Sequence, residues 1–212
     1  MALVTFNNKN VSLKENLYII LSAIVAGIAI SIGGFVYLKT GAALEGAVLF
    51  TFGLLTVVHY KLHLFTGKAG FFDSWCSFTQ LFLLTLVGNF IGCLASGGFA
   101  VETSSDVHLA AQKLLDGRLS VSFLNNFLLA IPCGFIMTTA VEFGRNGRFL
   151  PLLFGVPVFI MCGFRHSIAD AFYYCAADMW TPDVIWLWMV IVAGNFIGCN
   201  MYRVIVPESV RE

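Results

Sequence analysis

The chain has 212 residues, of which 58% are hydrophobic and 11% charged, with a mean hydropathy of +0.86 and a formal net charge of zero. A soluble domain carries about a quarter of its residues charged to cover its surface, so this composition excludes a water-soluble globule. Zero net charge and a pI of about 6.9 also give no basis for a nucleic-acid partner.

Taken in chain order, residues 1–16 hold Lys9, Lys14 and Glu15 with no small-residue cleavage pattern before an apolar core. They are expected to form a cytoplasmic segment, and the apolar run that follows is too long for a signal peptide. Stretches free of Asp, Glu, Lys and Arg then mark the spans. Leu17–Leu38 has 22 residues, Ser74–Val101 has 28, Leu119–Val141 has 23 and Val184–Tyr202 has 19. Each can cross a hydrocarbon core about 30 Å thick at about 1.5 Å per residue. Two runs fall short: Gly46–Tyr60 with 15 residues, ending at Lys61, and Phe149–Phe164 with 16, ending at Arg165. They are spans two and five. Residues 207–212 are expected to be a cytoplasmic tail.

Short spans at matching positions in two halves mark an inverted repeat with broken helices. The segment Gly88-Asn89-Phe90-Ile91-Gly92-Cys93 recurs letter for letter as Gly194-Asn195-Phe196-Ile197-Gly198-Cys199, an offset of 106 residues. The expected fold is therefore an all-α membrane protein of six transmembrane helices, a 3+3 inverted repeat with broken second and fifth helices. Repeat one covers about 17–101 and repeat two about 119–206, within one transmembrane channel domain over 17–206. Three spans per half reverse the orientation of the second half. Lys9, Lys14, Lys68, Arg145, Arg148, Arg203 and Arg211 fall on one side, against Lys39, Lys113 and Arg118 on the other. The positive-inside rule then puts both termini in the cytoplasm and the protein in the cell (inner) membrane.

Small residues (Ala26-Gly27, Gly33-Gly34, Gly88-x3-Gly92, Gly194-x3-Gly198) suit close helix packing within the chain. Trp75, Trp180, Trp186 and Trp188 stand near span ends, as interfacial anchors do. The six cysteines form no C-x-x-C pair, so neither disulfide nor zinc is expected. His108, beside Glu102 and Asp106 in the outer loop, reads as a solvated residue.

The charged and polar residues at the two breaks carry the chemistry. The first reads Tyr60-Lys61-Leu62-His63-Leu64-Phe65-Thr66-Gly67-Lys68, the second Cys162-Gly163-Phe164-Arg165-His166-Ser167-Ile168-Ala169-Asp170. An ionisable group at membrane depth costs at least ~2.5 kcal/mol, so it needs a partner or a wet cavity. Thr66 offers a hydroxyl at one break and His166 an imidazole at the other. His166 also has a plain reading, that of a buried structural hydrogen-bonder. His59 and His63 are four apart, a metal-ligand spacing on one helix face. No third ligand accompanies them and Lys61 repels a cation, so no metal and no cofactor are expected.

At these two segments the sequence resembles the formate/nitrite transporter family. Leu64-Phe65-Thr66-Gly67 is similar to that family's Leu-Phe-Thr loop. Gly163-Phe164-x-His166-Ser167-Ile168-Ala169 is similar to its Gly-Phe-Glu-His-Ser-x-Ala-Asn signature. The resemblance implies a homopentamer of aquaporin-like protomers, each with its own pore for monovalent anions of weak acids: formate, nitrite, acetate, lactate or hydrosulfide. It implies an outer constriction of Phe50, Leu54 and Phe159, and an inner one of Leu64, Phe65 and Met137. Thr66 and His166 align with the family's central pair, and Arg118 with a lysine before span four. Four positions depart: Arg165 replaces a glutamate, His63 an acidic residue, Asp170 an asparagine and Gly134 an asparagine. These changes move local charge positive, which favours an anion.

The substrate path is thus expected to involve Thr66, His166, Arg165, Lys61, His63, Arg118 and Asp170. A bare anion cannot cheaply enter an apolar slit. It either takes a proton from His166 or nearby water and crosses as the neutral acid, or passes directly with His166 and Thr66 as hydrogen-bond donors. The candidate partners for Arg165 are Asp170, Glu45 and Glu142. An aquaporin-like channel for small neutral solutes (water, ammonia) is the alternative reading, but it gives Lys61 and Arg165 no role. An intramembrane enzyme lacks a metal triad or a Ser–Lys arrangement in the sequence.

Overall fold

A computed structural model describes residues 13–70 and 75–205, with side chains from 81 onward in the second stretch apart from Arg203. The expected tail at 207–212, and residues 1–12 of the expected N-terminal segment, lie outside the described residues. So do the side chains of Trp75 and Cys76. All regular structure among the described residues is helical. The helices are α1 (Leu13–Lys39), α2 (Leu44–Leu49), α3 (Thr51–His59), α4 (Phe65–Lys68), α5 (Trp75–Thr103), α6 (Ser105–Leu119), α7 (Phe123–Arg145), α8 (Leu150–Met161), α9 (Ser167–Ala177) and α10 (Pro182–Ile205).

Four stretches are long and apolar enough to cross a membrane: Leu13–Lys39, Leu81–Thr103, Phe123–Arg145 and Pro182–Tyr202. The shorter apolar helices are Leu44–His59, which is α2 and α3 nearly continuous, and Leu150–Met161. Many large apolar side chains face outward, among them Phe52, Phe99, Leu124 and Phe154. Lipid is the environment in which such a surface costs nothing. The protein is a multi-pass membrane protein.

The closest helix pairs are α1 with α5 and α7 with α10. Both depend on the recurring glycines. A Cβ on Gly92 would meet the backbone oxygen of Ile24, and one on Gly198 that of Ile131. The two copies of the hexapeptide therefore serve the same purpose, letting one backbone lie against another inside the chain.

Both short helices end in the same way. Lys61 N–H donates to Val58 O (3.2 Å) and Leu62 N–H to Val57 O (2.9 Å); Gly163 N–H donates to Ile160 O (3.0 Å) and Phe164 N–H to Phe159 O (2.9 Å). This is the Schellman C-cap, whose turning residue needs a positive φ. Gly163 supplies it at +68°, and Lys61 adopts it at +55° without being glycine. A lysine in the glycine position is why no turn signal marked the first break.

Several sequence expectations need correction. The span expected from Leu119 begins at Phe123, because Leu119 closes α6. The connection between α5 and α7 is largely this helix, packed on α9. His108 is not simply solvated: its Nδ1 bonds Ala176 O at 2.7 Å and its Nε2 meets Gln112 at 3.0 Å. The start of α6 is tied to the end of α1 by Lys39–Asp106 at 2.7 Å. Hydrogen bonds from Lys39 and then Ser104 hold the Asp106 carboxyl down to about 2. His59 and His63 do not share a helix face, since α3 stops at His59. Trp188 also has partners inside the chain: its indole N–H donates to Ser167 O at 2.8 Å, and Trp180 packs edge-on against it.

Candidate functional site

The segments that follow the two short helices meet inside the chain, where Thr66 lies against His166. After each Schellman turn the chain runs extended, through Leu64 (φ −102°, ψ 133°) and His166 (φ −112°, ψ 111°), before α4 and α9 begin. Extended backbone at membrane depth must find hydrogen bonds elsewhere. Asn89 and Asn195 supply them. Asn89 Oδ1 accepts from Phe65 N–H (2.9 Å), and its Nδ2 donates to His63 O and Ala23 O (both 2.8 Å). Asn195 Oδ1 accepts from Ser167 N–H (2.7 Å), and its Nδ2 donates to Arg165 O and Ala130 O (both 2.8 Å).

The two breaks place Thr66 and His166 in contact, Oγ1 to Nε2 at 3.1 Å, with both side chains buried. The other ring nitrogen is already engaged: His166 Nδ1 accepts the N–H of Ala169 at 3.1 Å and so caps its own helix α9. A neutral imidazole that accepts at Nδ1 carries its proton on Nε2. The hydrogen-bond geometry therefore assigns an Nε2–H donor on the Thr66 side. The cap on α9 thereby fixes the tautomer of this histidine.

Apolar side chains flank the pair. Phe159 stacks on the His166 ring at 5.5 Å and meets Phe50 edge-on at 6.1 Å, with Leu54 fully buried beside them. On the other side Leu64, Phe65 and Met137 are each 1% exposed, and Phe65 lies edge-on against Phe82 at 4.7 Å. Beyond Phe159 lies a cavity of about 20 Å³, lined by Tyr37, Arg118, His166, Asp170 and Tyr173 among others. That is room for one water-sized solute. A smaller cavity of about 10 Å³ lies on the Phe65 side, reached by Lys68 and Thr85.

The charged residues are distributed differently from expectation. Asp170 does not pair with Arg165. It takes Arg118, 52 residues away in sequence, Nε to Oδ1 at 3.0 Å, with Asp170 wholly buried. Arg165 is buried and donates to Asn126 Oδ1 (2.8 Å) and Gly163 O (2.7 Å). No acidic group, Glu45 and Glu142 included, pairs with it among the described residues. Asn126 in turn donates to Arg118 O at 2.9 Å and so links the two guanidinium-bearing segments. Lys61 is exposed, whereas Thr66 and His166 are buried. His63 meets Ser22 Oγ at 3.1 Å through both Nδ1 and its backbone N–H. Arg145 donates to Gly67 O at 3.0 Å, closing the far end of α4.

Sequence reading missed Asn126, Tyr37 and Tyr173. A pair of asparagines, Asn125 and Asn126, inside an apolar run was the available signal for the first. The tyrosines lie in helices with nothing local to distinguish them.

Residues 5–206 match the formate/nitrite transporter family. The chain belongs to the formate/nitrite transporter family. Its overall structure is similar to a solved pentameric formate channel with formate bound, at a TM-score of 0.78 and 20% identity, over 91% of this chain and 96% of that one. It is also similar to a solved ion channel of the same family, at 0.76 and 17%, over 89% and 88%. Among curated proteins it is 25% identical over 183 residues to YrhG, an uncharacterized transporter of Bacillus subtilis (strain 168). That match covers 74% of this chain and 63% of the relative, less than two thirds of its length.

Proposed function

We propose that this formate/nitrite transporter family member passes small monovalent anions of weak acids across the cell (inner) membrane. Its protomers assemble as a homopentamer, each with its own path, and both termini face the cytoplasm. Six crossings form a 3+3 inverted repeat, in which α2–α3 with α4, and α8 with α9, are the broken second and fifth spans. The identical use of Asn89 and Asn195 supports the repeat.

The observation that carries the function is the buried Thr66–His166 contact between two apolar constrictions. An anion leaving water for a phenylalanine-lined slit loses its hydration, and the cost falls if it is met by a donor or crosses as the neutral acid. His166 Nε2–H is the donor between the two constrictions. Phe50, Leu54 and Phe159 form the outer gate, and Leu64, Phe65 and Met137 the inner one. With Arg118 paired to Asp170, Arg165 is a buried cation without an acidic partner among the described residues, a charge that an uncharged solute would not need. The protein does no covalent chemistry.

Proteoliposome flux of formate, nitrite, acetate, lactate and hydrosulfide at several pH values tests this. His166→Phe, in an oligomer that still assembles, should nearly abolish flux. His166→Asn, which keeps a capping side chain, should retain part of it. Wild-type flux by folded His166→Phe would return the histidine to a purely structural role. Cysteines introduced near Lys113 and Arg145 should label from opposite sides of the membrane, and labelling from one side would sink the six-crossing arrangement.

A further inference from the structure

We propose that Asp170, rather than His166, carries the proton that accompanies the anion. The proposal rests on the anion reading above. His166 is poorly placed as a proton source. Its Nδ1 accepts the Ala169 N–H, so the ring is neutral and its one proton is on Nε2. Giving that proton away would leave an imidazolate in an apolar site. Holding a second proton would place N–H against N–H at Ala169. The ring can offer a hydrogen bond but cannot supply the proton.

Asp170 can. Its carboxylate is wholly buried and lines the same cavity as His166. Oδ1 accepts from Arg118, while Oδ2 has no hydrogen-bond partner among the described residues. A buried carboxylate oxygen is not left idle without cost. The groups that face it are Tyr37 on α1, Arg118 on α6, Cys133 on α7, His166 at the break, and Tyr173 and Tyr174 on α9. Of these only Arg118 is a permanent cation, and it is engaged on Oδ1.

When a monovalent carboxylate or nitrite reaches this water-sized cavity, its leading oxygen comes against the Asp170 carboxylate that lines it. Like charges that close retain one proton between them. Asp170 takes that proton from a hydronium ion arriving with the water that reaches Arg118, whose side chain is 13% exposed, and neutral water is left behind. The O–H bond on Oδ2 then breaks as an O–H bond forms on the substrate oxygen. The neutral acid leaves past Phe159 with His166 Nε2–H as its donor, and Asp170 returns to the Arg118 ion pair.

The test is proteoliposome transport with labelled formate and an internal pH indicator, in wild type and Asp170→Asn. Wild type should move about one proton per formate. Asp170→Asn should lose proton-coupled formate flux by tenfold or more, and any formate flux that remains in the assembled variant should move less than one proton per formate. Arg118→Gln/Asp170→Asn, which keeps the buried pair neutral, serves if the single variant fails to assemble. An infrared difference spectrum of wild type with and without 13C-formate needs no variant. A protonated-carboxyl band that does not shift with the label is expected. Full coupling in either assembled variant, or absence of that band, would overturn the role of Asp170. No flux of any weak-acid anion by wild type would instead overturn the transport reading itself.

Discussion

Asn89 and Asn195 make the same three hydrogen bonds 106 residues apart. In each case the side-chain oxygen takes the first N–H of the resumed helix. The amide nitrogen takes the carbonyl two residues earlier and one on the neighbouring long helix. Asn89→Leu should orphan Phe65 N–H and His63 O, and Asn195→Leu should orphan Ser167 N–H and Arg165 O, while Ala23 O and Ala130 O keep their own helix bonds. At about 1–3 kcal/mol per buried orphan, either change should lower the thermal midpoint of the detergent-solubilised oligomer sharply. A midpoint within error of wild type would remove the asparagines from the support of the breaks.

Lys61 occupies the left-handed position that glycine fills at residue 163. Lys61→Gly relieves that strain, which is worth about 1–2 kcal/mol for a side-chain-bearing residue, at some cost in chain entropy. The variant should be about 0.5–1 kcal/mol more stable. Because Lys61 is exposed, whereas the central pair is buried, anion flux should be unchanged. A large fall in flux would assign it to the substrate path after all.

Gly134 stands where the family has an asparagine, and its surroundings give the reason. A Cβ there would meet the backbone oxygen of Asn195, so α7 and α10 touch at this level. Gly134→Asn should therefore disrupt the Asn195 support and reduce the yield of assembled protein. Normal assembly of this variant would mean that the two helices can separate freely here.

Arg165 is held by two protein acceptors, Asn126 Oδ1 and Gly163 O. Arg165→Glu replaces donors by acceptors and orphans both, each at about 1–3 kcal/mol. Loss of oligomer stability with unchanged substrate preference is the expected pairing of results, measured by thermal unfolding and competitive flux on one preparation. A shift in preference at full stability would place Arg165 against the substrate.

Phe65 packs edge-on against Phe82 at the Lys68 side of the central pair. Phe65→Ala should raise flux or relax selectivity, since an apolar constriction gates by excluding water. Loss of a buried phenyl also costs about 3–5 kcal/mol, so Phe65→Leu serves as the folded control. Unchanged flux and selectivity in both would remove Phe65 from the gate.

Much of this arrangement was legible in the sequence, because it depends on local properties. Freedom from charge over a run of residues is sufficient to place a helix in lipid, and α1, α5, α7 and α10 lie where those runs are. The two short runs end at Lys61 and Arg165, beside the turns at Lys61 and Gly163, while the repeated hexapeptide contains Asn89 and Asn195 but did not reveal their hydrogen bonds. What only the tertiary structure decided is which polar groups meet. Asp170 is five residues from Arg165 but pairs with Arg118, because the break turns Arg165 toward Asn126 while α6 lays Arg118 across α9. The proton position on His166 likewise depends on a backbone N–H three residues on, which exists as a donor only once α9 has formed. Hydrophobic patterning acts along the chain. The pairing of buried charges is set by distances across it, and no local pattern encodes them.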